Sequence, residues 1–349
     1  MACTDSDVPG PGATGSRSPG HDVAGRDAAV LVEDLHKTYP GGVAAVRGLW
    51  FQVREGEIYG LLGPNGAGKS TTLGVLTTIV RATRGRAVVA GHDVRRDALG
   101  VRRSIGVVFQ DTVLDTLFSG RENLQLQARL WRMPRPAARR RIDELLTVMG
   151  LEQRADDNVR TYSGGMRRRL EIARALLPGP RVVVLDEPTT GLDPAIRDAI
   201  WQLVERLRRD EGVTIVLSTH YLEEAERACD RVAIVDRGRL VAEGRPRALV
   251  DRLGAELVEL RVDGDVERAA TALAGMRLGT RRPLVRGDLV SLPVPAGVDG
   301  LAARVGELPH DVLAVVGSTV RRSTLADVFA HLTATGRDGA HPDGGDGPA

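Results

Sequence analysis

An α/β fold built on a parallel sheet is predicted by three features of the 349-residue sequence. A largely apolar strand at 57–62 runs into a Gly-rich turn and then into a helical pattern starting at Lys69. Two further apolar strands, 182–185 and 214–218, flank a helical stretch at 195–208, which is the β-α-β order of a parallel sheet. Beyond residue 250 the pattern changes to alternating strands and short helices, as expected of a second, smaller module. The length suits one large domain and one small one.

Residues 1–28 are mostly Gly, Pro, Ser and Asp, with too little apolar surface to offset the entropy of ordering, so a disordered tail is expected there and again at 337–349. Alternating strands at 30–32 and 49–53 open the folded part, and the large domain is expected to span 29–250. Within it, about 100–177 has helical periodicity, including a basic run at 135–141 and an amphipathic stretch at 142–149, and reads as a helical insertion. The small module, 251–336, shows strands at 256–262 and 289–294, helices at 266–274 and 300–306, and a strand near 313–316. This β-α-β-α-β order suits a split β-α-β, ferredoxin-like α+β domain closed by a helix at 325–332, which either caps its own module or meets a partner.

Composition narrows the classes. Hydrophobic residues at 42% and charged residues at 27% are ordinary for a globular chain, and a net charge of +2 creates no strong field for nucleic acid or an acidic membrane. Lys37 and Lys69 are the only lysines among 48 basic residues, so arginine richness reads as compositional bias. Cys3 and Cys229 have no metal or redox spacing, and no apolar run approaches the length of a spanning helix. A cytoplasmic setting is expected.

GPNGAGKST at 63–71 fits the phosphate-binding pattern G-x-x-x-x-G-K-[ST] in the strand-to-helix context that pattern requires. Gly63, Gly66 and Gly68 let the backbone, with Pro64, Asn65 and Ala67, wrap closely round a phosphate, whose charge faces the loop N–H groups and the helix N-terminus. Lys69 adds a point charge for the β and γ phosphates, Ser70 a hydroxyl ligand for Mg²⁺, and Thr71 completes the motif. VVVLDEP at 182–188 is a buried strand ending in two acids. Asp186 is expected to hold Mg²⁺ through its water shell, and Glu187 to polarise the attacking water as general base.

TYSGGMRRRLEIARALL at 161–177 places Ser163, Gly164 and Gly165 before a long helical pattern, a second set of open N–H groups for phosphate. This segment resembles the signature of ATP-binding cassette (ABC) proteins, about twenty residues before the acidic strand as in that family. It departs from the commonest form by Tyr162 for Leu and Met166 for Gln, neither of which removes the Ser and Gly backbone. The resemblance covers roughly 30–250. It implies a P-loop NTPase cassette with a RecA-like parallel core, a β-subdomain and a helical signature subdomain. It also implies ATP with Mg²⁺, and a head-to-tail dimer enclosing two ATPs. Gln110 resembles the Q-loop glutamine that meets Mg²⁺ at the hinge toward a membrane partner. Gly191, Leu192 and Asp193 resemble the D-loop, His220 the switch histidine contacting the γ-phosphate, and Tyr39 the aromatic that stacks on adenine.

YSGGMRRRLEIARALL, FQDTVLDTLFSGRENL and the ending RRSTLADVFAHLTATG are similar to the daunorubicin-resistance type of drug-exporting cassette subunit. That resemblance implies a homodimeric ATPase, peripheral on the cytoplasmic face of the cell membrane, energising export of a drug, antibiotic or other hydrophobic metabolite through a separate permease. A cassette acting on nucleic acid or ribosomes is the first rival. The sequence has one P-loop, no Cys/His cluster and no sustained heptads, and its basic run lacks interleaved aromatics, so no nucleic-acid partner is expected. Glu187 and His220 argue against the second rival, a nucleotide sensor.

Overall fold

The computed structural model describes residues 28–296 and 315–335. In chain order its elements are β1 (Ala28–Thr38), β2 (Ala44–Arg54), β3 (Ile58–Leu62), α1 (Lys69–Leu76), β4 (Arg84–Val89), β5 (His92–Asp93), α2 (Ala98–Ser104) and β6 (Ile105–Val108). There follow α3 (Gly120–Leu130), α4 (Arg135–Val148), α5 (Gly164–Leu176), β7 (Val182–Asp186), α6 (Pro194–Glu211), β8 (Thr214–Thr219), α7 (Leu222–Ala228), β9 (Arg231–Asp236), β10 (Arg239–Gly244) and α8 (Pro246–Leu253). The last elements are β11 (Glu256–Val262), α9 (Val266–Gly275), β12 (Leu284–Arg286), β13 (Leu289–Val294), β14 (Val315–Arg322) and α10 (Leu325–Thr335).

The central sheet has the order β10-β9-β3-β8-β7-β6, parallel from β9 to β6, with β10 antiparallel at one edge. Its inner strands read as apolar runs because both faces are covered: all five residues of β3 and all six of β8 are buried. Since β3, β7 and β8 are parallel neighbours, their C-terminal ends bring the 63–71 turn, Asp186 and Ser218 to one edge. The antiparallel sheet β2-β1-β4-β5 packs over α1 in a second apolar cluster that includes Phe51 and Tyr59, stacked at 5.4 Å. Helices α3, α4 and α5 pack on one another through Leu124, Ile142, Leu145 and Leu170. Helix α3 starts with a reciprocal Ser119–Glu122 capping box, and α6 runs from its Asp193 cap and Pro194 to Gly212, whose φ of +64° ends it.

The third sheet, β12-β13-β11-β14, is antiparallel and has its own apolar cluster with α9. Residues 300–306, expected to be helical, lie outside the described residues. The strand expected near 313–316 is β14, whose described bounds run to Arg322, and the hairpin partner β12 was not anticipated from the pattern. Helix α10 does more than cap its own module. Leu325 and Val328 belong to the main apolar cluster, and α10 packs on α7 and α8. Its first N–H donates to Glu226 Oε2 on α7 at 3.0 Å. Arg321, at the end of β14, meanwhile pairs with Asp327 on α10 and Glu259 on β11, each at 2.8 Å. The helix therefore joins the third sheet to the face of the large domain that carries α7. No helix among the described residues is long and apolar enough to cross a membrane.

Candidate functional site

The 63–71 loop is shaped by close backbone approach. Gly68 caps α1 at φ +101°, and a Cβ there would lie 2.3 Å from the Ala45 carbonyl, so both the torsion and the space require glycine. Lys69 is 4% exposed and donates to the carbonyls of Gly63 at 2.8 Å and Pro64 at 3.1 Å. That uses two of its three donors, and its ammonium stands 3.9 Å from Glu187 Oε1. Burial pulls the Lys69 pKa below the usual lysine value, against the opposing fields of Glu187 and Asp186.

Ser70 donates to Asp186 Oδ1 at 3.2 Å, and Ser218 donates to the same oxygen. Glu187 is buried and adopts φ +47°, a left-handed backbone that costs a non-glycine residue on the order of 1–3 kcal/mol and persists only when its surroundings enforce it. Its N–H donates to Ser218 Oγ at 3.0 Å, and its Oε2 accepts from Thr190 Oγ1 at 3.1 Å. His220 Nδ1 lies 3.3 Å from the same Oε2 but, among the described residues, has no hydrogen-bond partner although it is buried. One corner thus gathers a buried ammonium, two carboxylates, two serine hydroxyls and an unsatisfied imidazole nitrogen.

The other expected residues sit differently. Tyr39 is on the surface, with its hydroxyl 3.3 Å from Thr71 Oγ1 and the Lys37 ammonium 4.8 Å from its ring centroid. Gln110 is exposed just after β6. Ser163 caps α5 by accepting from the Met166 N–H at 3.2 Å, and both Ser163 and Gly164 are exposed. Gly165 is buried against Ile196, where a Cβ would come within 2.6 Å of Cγ2. Asp193 is exposed and accepts from the Ile196 N–H at 3.0 Å. Among the described residues no hydrogen bond or ion pair joins Ser163, Gly164 or Gly165 to the 63–71 loop.

Tyr162 is buried and donates to the Arg154 carbonyl at 2.6 Å, its hydroxyl filling the space where a Cβ on Gly120 would stand at 2.4 Å. The Tyr-for-Leu departure is thereby accommodated by a glycine on α3. Sequence reasoning missed Ser218, Thr190, Arg168 and the buried pair Thr189–Glu224, joined at 2.6 Å. Arg168 carried the only pattern signal, a charge on the apolar stripe of α5 between Gly165 and Ile172.

Among the described residues no three His, Cys, Asp or Glu side chains converge as an all-protein metal site. The oxygen pair of Ser70 and Asp186 does fit Mg²⁺, which is bound through a few protein oxygens together with nucleotide phosphates and water.

Residues 46–190 match the ABC transporter family. The doxorubicin resistance ATP-binding protein DrrA of Mycobacterium tuberculosis is 40% identical over 312 residues, covering 88% of this chain and 94% of that protein. The Nod factor export ATP-binding protein I of Ralstonia nicotianae is 44% identical over 251 residues, covering 72% and 77%. Among solved structures, the dimeric ATP-binding cassette MJ0796 bound to ADP and Pi is 30% identical with a TM-score of 0.57, over 62% of this chain and 98% of that one. The chain belongs to the ATP-binding, ATP-hydrolysing subunits of ABC transporters, in the group typified by the daunorubicin- and doxorubicin-resistance proteins.

Proposed function

We propose that this chain hydrolyses ATP at composite sites in a homodimer and so drives export of an anthracycline-like drug, antibiotic or other hydrophobic metabolite through a separate permease. The observation that carries the reading is the convergence of Lys69, Asp186, Glu187 and His220 at one sheet edge, while the Ser163 end of α5 stays open. Lys69 and the loop N–H groups take the β and γ phosphates, and Tyr39 stacks on the adenine. Ser70, Asp186 and Gln110 would hold Mg²⁺, which would supply positive charge to neutralise the phosphate oxygens. Glu187 orients the attacking water, and His220, whose Nδ1 lies beside the Glu187 carboxylate, contacts the γ-phosphate. Ser163, Gly164 and Gly165, with Asp193 beside them, close on the nucleotide held by the second copy.

The permease side of the proposal rests on Val113, Leu117 and Phe118, apolar side chains exposed at 46%, 70% and 38% just beyond Gln110. Exposed apolar side chains in the stretch that follows Gln110 suit an apolar partner helix at the cytoplasmic membrane face. Related subunits carry names as different as doxorubicin resistance and Nod factor export, which supports assigning substrate choice to the permease.

The test measures ATP-dependent uptake of doxorubicin into inside-out membrane vesicles from cells producing this chain or its Glu187→Gln variant, with ATP turnover read in parallel. Uptake lost with Glu187→Gln supports the reading. Normal turnover with no uptake difference rejects the drug class, and unaltered turnover in Glu187→Gln rejects the assigned base.

A further inference from the structure

Arg168 is 7% exposed, and its guanidinium engages all five of its N–H donors. Nε donates to the Pro188 carbonyl at 2.8 Å, and Nη2 to the carbonyls of Asp186 at 3.1 Å and Glu187 at 3.2 Å. Nη1 donates to the Phe109 carbonyl at 2.5 Å and to Glu171 Oε2 at 3.0 Å. Glu171, 3% exposed, uses its other oxygen to accept from the Val113 N–H at 3.1 Å. One ion pair on the signature helix α5 therefore grips both ends of the segment containing Gln110 and three successive carbonyls of the turn containing Glu187.

We infer that Arg168, braced by Glu171, is a positioning residue for hydrolysis that holds the Glu187 turn in register with the Gln110 loop. Three consecutive carbonyls turn to one guanidinium at the point where Glu187 departs from extended backbone to φ +47°. A left-handed glutamate needs an enforcing partner, and the planar five-donor fork supplies one. A buried ion pair is weak evidence for stability in itself, since apolar replacements of similar volume are often neutral. Its five acceptors, drawn from three segments of the site, are better explained by geometry. Motion of α5 on closing over a second nucleotide would reach the Gln110 segment and the Glu187 carboxylate through the same guanidinium.

This inference rests on Glu187 acting on the attacking water, and the test separates the two. Arg168→Gln, Glu187→Gln and the double variant are compared in the full-length chain by ATP turnover per nucleotide-binding site, KM for ATP, and single-turnover rate. For Arg168→Gln the expected result is a kcat lowered about 10- to 100-fold with KM within threefold, the signature of a displaced group rather than lost binding. In the Glu187→Gln background the same substitution should change the residual rate less than twofold, because Arg168 acts through Glu187. A kcat within twofold of wild type in folded Arg168→Gln overturns the inference, as does a loss that multiplies with that of Glu187→Gln. If Glu187→Gln itself turns over normally, the assigned base fails whatever Arg168 does. Should Arg168→Gln not fold, Arg168→Lys is read the same way. It offers three donors from one point, so a reduced kcat at unchanged KM supports the inference and a normal kcat overturns it.

Discussion

Around the 63–71 loop, the polar groups proposed to meet phosphate already have hydrogen-bond partners within the chain. Lys69 sits on two carbonyls, Asp186 accepts from Ser70 and Ser218, and Glu187 is held by Thr190 with Lys69 and His220 close by. At the start of α5, Ser163 satisfies one helix N–H and then faces solvent with Gly164, while Asp193 caps α6 from an exposed position. One region is finished inside the chain and the other is capped but unengaged. That difference fits the proposed composite site, in which one copy binds the nucleotide and turnover awaits the second. The energetic demand of closing the site then falls on association, which ATP can drive only by binding the closed pair more tightly than the open one.

Two substitutions probe that division most strongly. Glu187→Gln keeps shape but removes the charge proposed to polarise water, so kcat should fall about 10²–10⁴-fold while ATP affinity holds and an ATP-bound dimer accumulates by size-exclusion chromatography. Gly164→Asp targets the open region. A Cβ at Gly164 meets only Leu192 Cδ2, at 3.5 Å, so the fold tolerates it, but a carboxylate would occupy the place of a phosphate at the helix N-terminus. Turnover should drop by roughly 10²-fold, with binding of a fluorescent ATP analogue to the monomer within about threefold of wild type. If Gly164→Asp hydrolysed normally, or if it abolished monomer binding, the separation of the two regions would be wrong.

Much of the first region was legible because its chemistry demands particular spellings. Close approach to phosphate requires the glycines of the 63–71 loop, and β3, β7 and β8 are buried on both faces, so each reads as an apolar run ending at the site. Ser218 escaped notice because a serine at a strand end is unremarkable until parallel register brings it opposite Asp186. Arg168 was obscured by its neighbours Arg167 and Arg169. Only packing decides that the middle one turns inward while the others reach the Tyr162 and Met149 carbonyls. The docking of α10 on α7 and α8 was illegible for a related reason: an amphipathic helix declares that it has an apolar face, not what covers it.

Helix α10 connects the third sheet to α7, which begins two residues after His220. Burial raises the Asp327 pKa, but its bonds to Arg321 and Thr324 lower it further, and the net position is below the ordinary aspartate value. A carboxylate with a depressed folded-state pKa contributes stability that is fully present above its unfolded value and lost as pH falls through the folded one. Asp327→Asn should therefore cost about 1–3 kcal/mol at pH 7, measured by urea unfolding. The gap between variant and wild type should narrow as pH drops below about 4. A gap that is constant with pH would mean the charge is not what ties α10 down.

The smallest effect expected is at Tyr39, on the rim of the completed region. In the proposed role its ring contributes stacking area to adenine but no base-specific hydrogen bond, and its hydroxyl already faces Thr71. Tyr39→Ala should raise KM for ATP about fivefold, equivalent to ~1 kcal/mol, with kcat unchanged at saturation. The loss should be the same for GTP, because every purine offers a similar face. Steady-state kinetics with both nucleotides tests this directly. A selective loss for ATP would show that Tyr39, with the Lys37 ammonium over its ring, reads the base edge as well as its face.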